Sequence, residues 1–440
     1  MIYSFLKILM RLVLKVYFRK QHISGLENIP KEGPFIIVAN HPSSFLDPIS
    51  IAVIINKKIN FLAKATLFKN RVAAIILKNL NLIPIYRAQD NPKKLKENNA
   101  VFKACYKKLG NKGVIMIFPE GTSENERRLR PIKTGAARIA LGTAKENNYR
   151  LNIKILPVGL NYTNSSKFRS ELSIEFGKVI DTDNYVHSFK NDETKTTRDL
   201  TTNIENRIKQ LIINIEKQEH DELVQKIETI YKTELTPNSN LPIDISQEIV
   251  SEIHYYQKEN PFFFNTIKYK IDNYFEKLNQ AKISDKKIGL NTKKQSLLTI
   301  TLISVFKLIL GLPIWLIGFT HSFIPYNLTK IIALKITKDQ AFYGALLMSI
   351  GAFLFIFFYS LSVMGAWIIF KIKLLSIFHL ISLPFIGLFT ISYSRFARKF
   401  YYNWKFYTSF YSRKQFILQL IIERKNIITE LETLRKALKK

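Results

Sequence analysis

Apolar and polar positions in the first half of the chain alternate as in a layered fold of strands and helices. Apolar runs of strand length occur at 35–39, 60–63, 82–86, 114–118, 153–159 and 172–176, and helical patterns lie between them at about 48–57, 66–79, 92–110 and 133–147. Alternation of this kind is typical of a sheet with helices packed against its faces. We therefore predict an α/β domain over residues 26–190, with a mixed, mostly buried sheet flanked by helices.

The pattern changes after this domain. Residues 191–295 are charge-dense, lack strand-like runs and carry one long helical pattern from about 196 to 234, which a turn-forming segment at 236–240 follows. Apolar residues spaced by three and four at 415–438 predict a last helix, whose apolar seam Arg424 interrupts. These features predict an α-helical region over 191–295 and a basic helical tail over 396–440.

Three long apolar stretches lie between these helical regions, at 297–323, 341–370 and 374–393. The second has 30 residues and the third 20 residues without Asp, Glu, Lys or Arg, and a bilayer span needs about 20 apolar residues. Residues 296–395 are therefore predicted to be a membrane region with two or three hydrophobic segments.

The number of crossings depends on the first stretch and on the flanking charge. Lys307 and Pro313 interrupt that stretch, and a proline inside a helix removes a backbone donor. The tail from residue 395 holds 12 Lys and Arg against 3 Glu and should stay cytoplasmic, as should the basic N-terminus. Both ends on one side require an even number of crossings. We therefore predict a kinked or re-entrant element at 297–323 and a helical hairpin at 341–370 and 374–394.

The N-terminal residues 1–25 form a separate pattern. Lys7, Arg11, Lys15 and Arg19 recur every four residues, so that a helix places them in one stripe with apolar residues on the rest of its surface. This pattern predicts an amphipathic helix in the membrane interface, with the cations at lipid headgroups. The alternative is a helix that packs its broad apolar face on the following domain.

The net charge of the chain limits the classes of partner that it can bind. Its 440 residues carry 66 Lys and Arg against 34 Asp and Glu, a formal net charge of +32, which indicates an acidic partner. Nucleic acid, an anionic membrane surface and an acidic carrier protein are the candidates. The uncharged apolar stretches and the lack of a nucleic-acid-binding motif favour the membrane. The single cysteine, Cys105, excludes a disulfide scaffold and a Cys-rich zinc site, and its helical context predicts a buried thiol.

Candidate chemistry begins at the end of the first predicted strand. His41 follows the run 35–39 directly, and a short loop leads from it to Asp47. A carboxylate beside a histidine fixes the tautomer and orientation of the ring and stabilises the imidazolium, which is what a general base needs.

Other strand ends supply groups that suit an anion. Glu120, Gly121 and Thr122 follow the run 114–118 in a turn that exposes backbone N–H groups and a hydroxyl, and Arg87 follows the run 82–86. Further cations near strand ends or shortly downstream of the turn are Lys64, Arg128, Arg130 and Lys133. A base, its acid and several phosphate-type ligands together indicate transfer chemistry on a phosphorylated alcohol.

Over residues 20–190 these motifs resemble the glycerolipid acyltransferase family, which includes the glycerol-3-phosphate and 1-acylglycerol-3-phosphate acyltransferases. Segments 40–47, 83–87, 118–123 and 156–159 are similar to the four family motifs, in order. The resemblance implies a membrane-bound O-acyltransferase of phospholipid synthesis, with acyl-CoA or acyl carrier protein as thioester donor, no metal and no bound cofactor. It implies His41 as general base and Asp47 as its orienting acid. The implied substrate-binding residues are Asn40, Arg87, Glu120, Gly121, Thr122 and Lys133, with Lys64, Arg128 and Arg130 as further phosphate candidates.

Two departures from the family pattern concern the acceptor. Five residues separate His41 from Asp47 where four are commonest, which resembles the branch that acylates glycerol-3-phosphate and dihydroxyacetone phosphate. The arginine that commonly follows Gly121-Thr122 is replaced by Ser123. Glycerol-3-phosphate, lysophosphatidic acid, another lysolipid and an aminolipid therefore stay open as acceptors. A membrane scaffold or transporter with an inactive acyltransferase domain is the other alternative. The active domain is expected on the cytoplasmic face, in contact with anionic lipids and without nucleic acid.

Overall fold

A computed structural model describes residues 2–235, 241–290 and 297–438. The turn predicted at 236–240 lies outside these residues. The chain divides into two compact units. The first comprises Met1–Asn214 and Leu334–Met348, and the second Ile215–Ala333 and Ser349–Lys440.

Within the described residues, eight strands form one mixed sheet in the first unit. They are β1 (Lys20–Ser24), β2 (Phe35–Ala39), β3 (Ile59–Lys64), β4 (Leu82–Ile85), β5 (Val114–Ile117), β6 (Lys154–Tyr162), β7 (Glu171–Phe176) and β8 (Ile180–Asp181). Their order is β1-β7-β6-β2-β5-β3-β4, and β8 also pairs with β6. Pairing with β6 is antiparallel for β7 and β8, and the other pairs are parallel.

The described residues also contain fifteen α-helices. They are α1 (Ile2–Tyr17), α2 (Leu46–Ala52), α3 (Arg71–Asn79), α4 (Asn98–Gly110), α5 (Gly135–Glu146), α6 (Val186–Asn191), α7 (Glu193–Lys209), α8 (Asp221–Leu235), α9 (Ile243–Glu259), α10 (Pro261–Ala281), α11 (Asp285–Leu290), α12 (Leu297–Ile336), α13 (Gln340–Phe370), α14 (Lys373–Ser412) and α15 (Lys414–Leu438).

Strand β2 lies at the centre of the sheet, and all five of its residues are buried. Side chains alternate along a strand, so β2 contributes to a core on each face. Phe35 and Ile37 pack in one core with residues of α1, α2 and the first turns of α13. Ile36 and Val38 pack in the other with residues of α4, α5 and α7. The predicted fold class, a mixed and mostly buried sheet flanked by helices, is confirmed.

Two strands and one helix boundary were not expected from the sequence. β1 is exposed and polar, and β8 has only two residues, so neither has an apolar run to identify it. The helical pattern at 196–234 is not one helix, because α7 ends at Lys209 and α8 begins at Asp221. The segment between α7 and α8 crosses β6, where the Asn161 side chain donates to the carbonyl of Leu211 and accepts the N–H of Ile213.

The basic stripe of α1 faces the protein in part, which corrects the prediction that its cations all meet lipid headgroups. Lys7 donates to the carbonyl of Ile55, and Arg11 donates to that of Val53. Arg19, beyond the helix, pairs with Glu171. Carbonyl groups at the end of α2 are unsatisfied acceptors that attract such cations. The apolar residues of α1 then divide between a buried set and an exposed stripe. The buried set is Leu14 and Tyr17, and the exposed stripe is Phe5, Ile8, Leu12 and Val16.

In the second unit, Arg424 of α15, which interrupts the apolar seam, is buried. Its guanidinium donates to Asp285 at 2.9 Å, to Glu234 at 3.0 Å and to the carbonyl of Ile230 at 3.1 Å. Tyr274 donates to the same Asp285 carboxylate at 2.9 Å. A buried charge is tolerated only when it is paired and bonded in this way, so this network joins α8, α10, α11 and α15.

In the part of the chain that the structure describes, three helices are long and apolar enough to cross a membrane: Thr301–Ile336 with 36 residues, Gln340–Phe370 with 31 and Lys373–Lys405 with 33. The element expected at 297–323 is part of the continuous helix α12 and is not re-entrant. The helix contains Pro313 and Pro325, and the predicted kink stays a prediction. A proline removes one intrahelical bond, and the apolar residues on both sides continue the helix past it. The predicted hairpin is present as α13 and α14. The even number of crossings stays a prediction.

Candidate active site

The loop after β2 places His41 beside Asp47. Nδ1 of His41 lies 2.8 Å from Oδ2 of Asp47, and the ring is 19% exposed whereas the carboxylate is fully buried. The backbone N–H of Ser43 donates to the same Oδ2 at 2.7 Å. Nδ1 is the donor to a carboxylate, so the lone pair of the ring is on Nε2. The sequence-predicted pair is therefore assembled with the geometry of a base and its orienting acid.

Asp47 has a further partner that the sequence did not reveal. Tyr162, the last residue of β6, donates its hydroxyl to Oδ1 of Asp47 at 2.7 Å. Tyr162 is half-buried, and burial followed by the charge of Asp47 raises the pKa of its hydroxyl well above the usual value. It therefore stays a donor. The position was not recognisable in the sequence, because Tyr162 lies 115 residues from Asp47 and outside the four motifs.

Glu120 ties the turn after β5 to the His41 loop. Its Oε1 accepts the backbone N–H of His41 at 2.7 Å, and its Oε2 accepts that of Arg130 at 3.1 Å. The side chain is buried, and burial raises its pKa while the two backbone N–H groups act in the opposite direction. The ring of Phe118 stacks on the His41 ring at 4.0 Å between centroids. Glu120 and Phe118 thus fix the position of His41 from one side.

Asn40 is bonded within the sheet. Its amide donates to the carbonyl of Leu160 at 2.9 Å and accepts the N–H of Leu160 at 2.8 Å. Asn40 therefore links the end of β2 to β6 just before His41. Its predicted contact with substrate stays a prediction.

Three cations lie around Asp90, at the end of the sheet where β3 and β4 finish. Arg87 donates twice to the Asp90 carboxylate, at 2.7 and 2.8 Å, and once to the carbonyl of Gly121, at 2.7 Å. The pKa of Asp90 is lowered mainly by the hydrogen bonds from Arg87, and also by the charges of Lys64 and Lys133. Three of the predicted phosphate ligands are therefore brought to one place beside the Gly121 turn.

The turn at Gly121 needs glycine. Its φ is +74°, and a Cβ there would lie 2.7 Å from Nζ of Lys133. Lys133 extends over this turn to Oε1 of Gln89 at 3.3 Å. The N–H of Gly121 donates to the carbonyl of Phe118, so this donor is used inside the turn and is not available to an oxyanion. Thr122 follows, half-buried.

The other two phosphate candidates are paired with acids of their own segment. Arg128 lies 3.2 Å from Glu126, and Arg130 lies 3.4 Å from Glu124 and 3.6 Å from Glu126. Cys105 is buried in α4, and burial raises its pKa to about 12, as expected for a structural thiol.

The first turns of α13 pack beside the His41 loop. The hydroxyl of Ser43 donates to the carbonyl of Ala341 at 3.4 Å, and Phe45 meets Phe342 edge to face. Nζ of Lys64 lies 5.5 Å from the centre of the Phe342 ring. The predicted base, the cation cluster and the beginning of an apolar helix are therefore neighbours within the first unit.

Comparisons with known proteins find relatives of the segment that contains this site. The model of the Acyltransferase family matches residues 20–161. Glycerol-3-phosphate O-acyltransferase 1 of Saccharomyces cerevisiae is 29% identical over 168 residues, which are 37% of this chain and 22% of the yeast protein. The 1-acyl-sn-glycerol-3-phosphate acyltransferase of Bacillus subtilis is 32% identical over 115 residues, which are 26% of this chain and 53% of that protein.

Among solved structures, the acyltransferase PlsC of Thermotoga maritima is similar, with 21% identity and a TM-score of 0.35 over 47% of this chain and 77% of that one. The chain spans about a fifth of the length of the yeast relative and about half that of the Bacillus relative. The resemblance of the motifs to the family is nevertheless confirmed by the match to the family model. The matched residues 20–161 include His41, Asp47, Arg87 and Glu120. Residues 20–161 therefore form a domain that matches the Acyltransferase family model and resembles proteins named glycerol-3-phosphate and 1-acyl-sn-glycerol-3-phosphate acyltransferases.

Proposed function

We propose that this protein transfers a fatty acyl group from a thioester to a hydroxyl of glycerol-3-phosphate or 1-acylglycerol-3-phosphate, in phospholipid synthesis at a membrane. The bond between His41 Nδ1 and the buried Asp47 carboxylate carries the proposal. It fixes the tautomer in which Nε2 accepts a proton. Ring stacking by Phe118 and the bond from the His41 N–H to Glu120 hold that nitrogen in place before substrate arrives.

The reaction is a direct transfer. Nε2 of His41 takes the proton of the acceptor hydroxyl while the hydroxyl oxygen attacks the thioester carbonyl. Asp47 stabilises the imidazolium that forms. Collapse of the tetrahedral intermediate breaks the carbon–sulfur bond, and the proton on His41 passes to the departing thiolate. The products are an ester and a free thiol. Acyl-CoA and acyl carrier protein are the proposed donors, and the chain needs no bound cofactor for these steps.

The cation cluster supports a phosphorylated acceptor. Lys64, Arg87 and Lys133 meet beside the Gly121 turn, where they partly neutralise Asp90. A phosphate carries about two negative charges at neutral pH and accepts hydrogen bonds from several donors at once. Three cations are therefore better matched by a bound phosphate than by the single Asp90 carboxylate. The phosphate would bind there and present the acceptor hydroxyl to His41.

The apolar helices support the proposed membrane placement. Three of them have the length and composition of a bilayer span, and one begins beside the His41 loop. We propose that the active domain lies on the cytoplasmic face, where thioester donors occur. Anionic lipids would attract the basic surface of the chain, and each Lys or Arg near an anionic leaflet contributes about 1 kcal/mol.

An acyl-transfer assay with a matched control tests the reaction. Purified protein in lipid is given a labelled acyl thioester with glycerol-3-phosphate, dihydroxyacetone phosphate, lysophosphatidate or a phosphate-free aminolipid. His41→Ala should lower kcat by about a hundredfold to ten-thousandfold, because positioned general bases contribute about 10²–10⁴-fold and Asp47 acts only through His41. His22→Ala, on the exposed edge strand β1, should keep the parent rate. Equal rates for the two variants would disprove the mechanism.

A second variant tests the phosphate site. Lys133→Met removes one cation while leaving the Arg87–Asp90 pair in place. Loss of a bond to a charged group of about 1.5–3 kcal/mol should raise the KM for a phosphorylated acceptor by about tenfold to a hundredfold and leave the KM for the thioester unchanged. Activity on the aminolipid alone would assign a different acceptor.

A further inference from the structure

Helix α3 carries an apolar stripe that none of the described residues covers. Val72, Ile75 and Ile76 are 66%, 62% and 54% exposed. They follow the spacing i, i+3, i+4, so they lie side by side on one face of the helix. Ala73 and Leu77 on the other face are half-buried, and α3 packs against β4. Three neighbouring large aliphatic side chains in water are unfavourable, so this face requires a partner.

The charges beside the stripe indicate the chemistry of that partner. Lys69 and Arg71 lie at the start of α3 and Lys78 near its end, all exposed, and the segment 69–79 has no acidic residue. Basic residues flanking an apolar helical face are typical of helices that lie in the interface of an anionic bilayer, with the apolar side chains below the headgroups.

The topology of the sheet places α3 on the same face as α2. Helix α2 connects β2 to β3 and packs in the core with α1 and the first turns of α13. The step from β3 to β4 runs in the same direction across the sheet. Crossovers between parallel strands are right-handed, so α3 lies on the same face of the sheet as α2.

That face therefore holds the exposed stripe of α1 as well. It also holds the beginning of α13, which is long and apolar enough to span a bilayer. The chain entering α3 passes Lys64, whose Nζ lies over the Phe342 ring of α13. A lipid surface reached by α13 would thus be close to α3.

We propose that α3 is a membrane-docking element whose Val72–Ile75–Ile76 face inserts into the headgroup region of an anionic bilayer. Together with α1 it would hold one face of the sheet against the lipid. The cation cluster beside Arg87 would then open near the surface from which lipid substrates come. The proposal concerns where α3 lies, and it holds whichever acceptor the enzyme uses.

Site-specific fluorescence on the full chain tests this placement. Cys105 is buried, with its pKa raised to about 12, so a thiol-reactive environment-sensitive dye labels introduced cysteines selectively. The three labelling positions are Ile75→Cys on α3, Phe353→Cys on the apolar helix α13 as a lipid-exposed reference, and Lys107→Cys on α4 as a control on the opposite face of the sheet. Each variant is reconstituted into vesicles of phosphatidylglycerol and phosphatidylcholine, with and without doxyl-labelled acyl chains.

The dye at Ile75 should emit at shorter wavelength than the dye at Lys107, and doxyl lipid should quench it at least several times more strongly, towards the value at Phe353. Quenching at Ile75 no greater than at Lys107 would overturn the proposal. A blue shift at Ile75 without lipid quenching, together with cross-linking between two chains through that cysteine, would also overturn it, because a second copy would then cover the stripe.

Discussion

Replacing Tyr162 with Phe removes one of three donors to the buried Asp47 carboxylate and changes little else. Ser43 N–H and His41 Nδ1 continue to hold Oδ2, whereas Oδ1 loses its 2.7 Å partner. A hydrogen bond to a charged group contributes about 1.5–3 kcal/mol. The free energy of unfolding should fall by about this amount. If the same loss appears in the transition state, where Asp47 must hold an imidazolium, kcat should fall by about tenfold to a hundredfold.

Tyr17→Phe is the matched control. Tyr17 is buried in the core against which Tyr162 packs, and its hydroxyl donates at 3.0 Å to the carbonyl of Ser165, a neutral group. It should lose only about 0.5–1.5 kcal/mol of stability and keep its kcat. Chemical denaturation in detergent and the acyl-transfer assay measure the two quantities. If Tyr162→Phe and Tyr17→Phe have the same kcat, Tyr162 does not position Asp47 and the reasoning is refuted.

Three further changes test other parts of the structure. Burial raises the pKa of Glu120, so the contribution of Glu120 to stability is present below the ordinary pKa of about 4.5 and is lost as pH rises through the raised pKa. The midpoints of thermal unfolding of the parent and of Glu120→Gln should therefore differ less as pH rises. A difference that stays constant with pH would contradict the effect of burial. Arg424→Met leaves the Asp285 carboxylate buried without its cation and should cost about 3–5 kcal/mol in a denaturant titration, and a loss below about 1 kcal/mol would show that the network is not needed. Gly159→Ala would place a Cβ 2.2 Å from the carbonyl oxygen of Leu211, which should destabilise the protein by about 1–3 kcal/mol in thermal unfolding. An unchanged unfolding midpoint would mean that the backbone at Leu211 moves away from β6 at little cost.

The sheet was predictable where its strands are apolar. The six apolar runs all correspond to strands, and β2 and β5, which are buried along their whole length, are apolar throughout, as a strand covered on both faces has to be. β1 has the sequence Lys-Gln-His-Ile-Ser and lies at the edge of the sheet, exposed to water. Its pairing with β7 is a backbone interaction between residues about 150 positions apart, which no local pattern reports.

The chemistry of the site was predictable in its residues and less so in their partners. His41 and Asp47 are close in sequence, so their pairing follows from a short loop. The hydroxyl of Tyr162 and the contact between Arg87 and the Gly121 carbonyl depend on how distant strands are ordered. Periodicity likewise showed that Arg11 belongs to a stripe, but a stripe does not reveal whether carbonyl groups or lipid lie against it.

The first unit is built from two parts of the chain that Ile215–Ala333 separates. Ala345 and Met348 are buried in its core, and Ser43 bonds the carbonyl of Ala341 beside the His41 loop. During synthesis these residues leave the ribosome after all of α12, an apolar helix of 40 residues. The wall of the site is therefore completed only after the first long apolar helix has been made. The order of translation thus gives a newly made chain this long apolar helix before it gives it the finished candidate site.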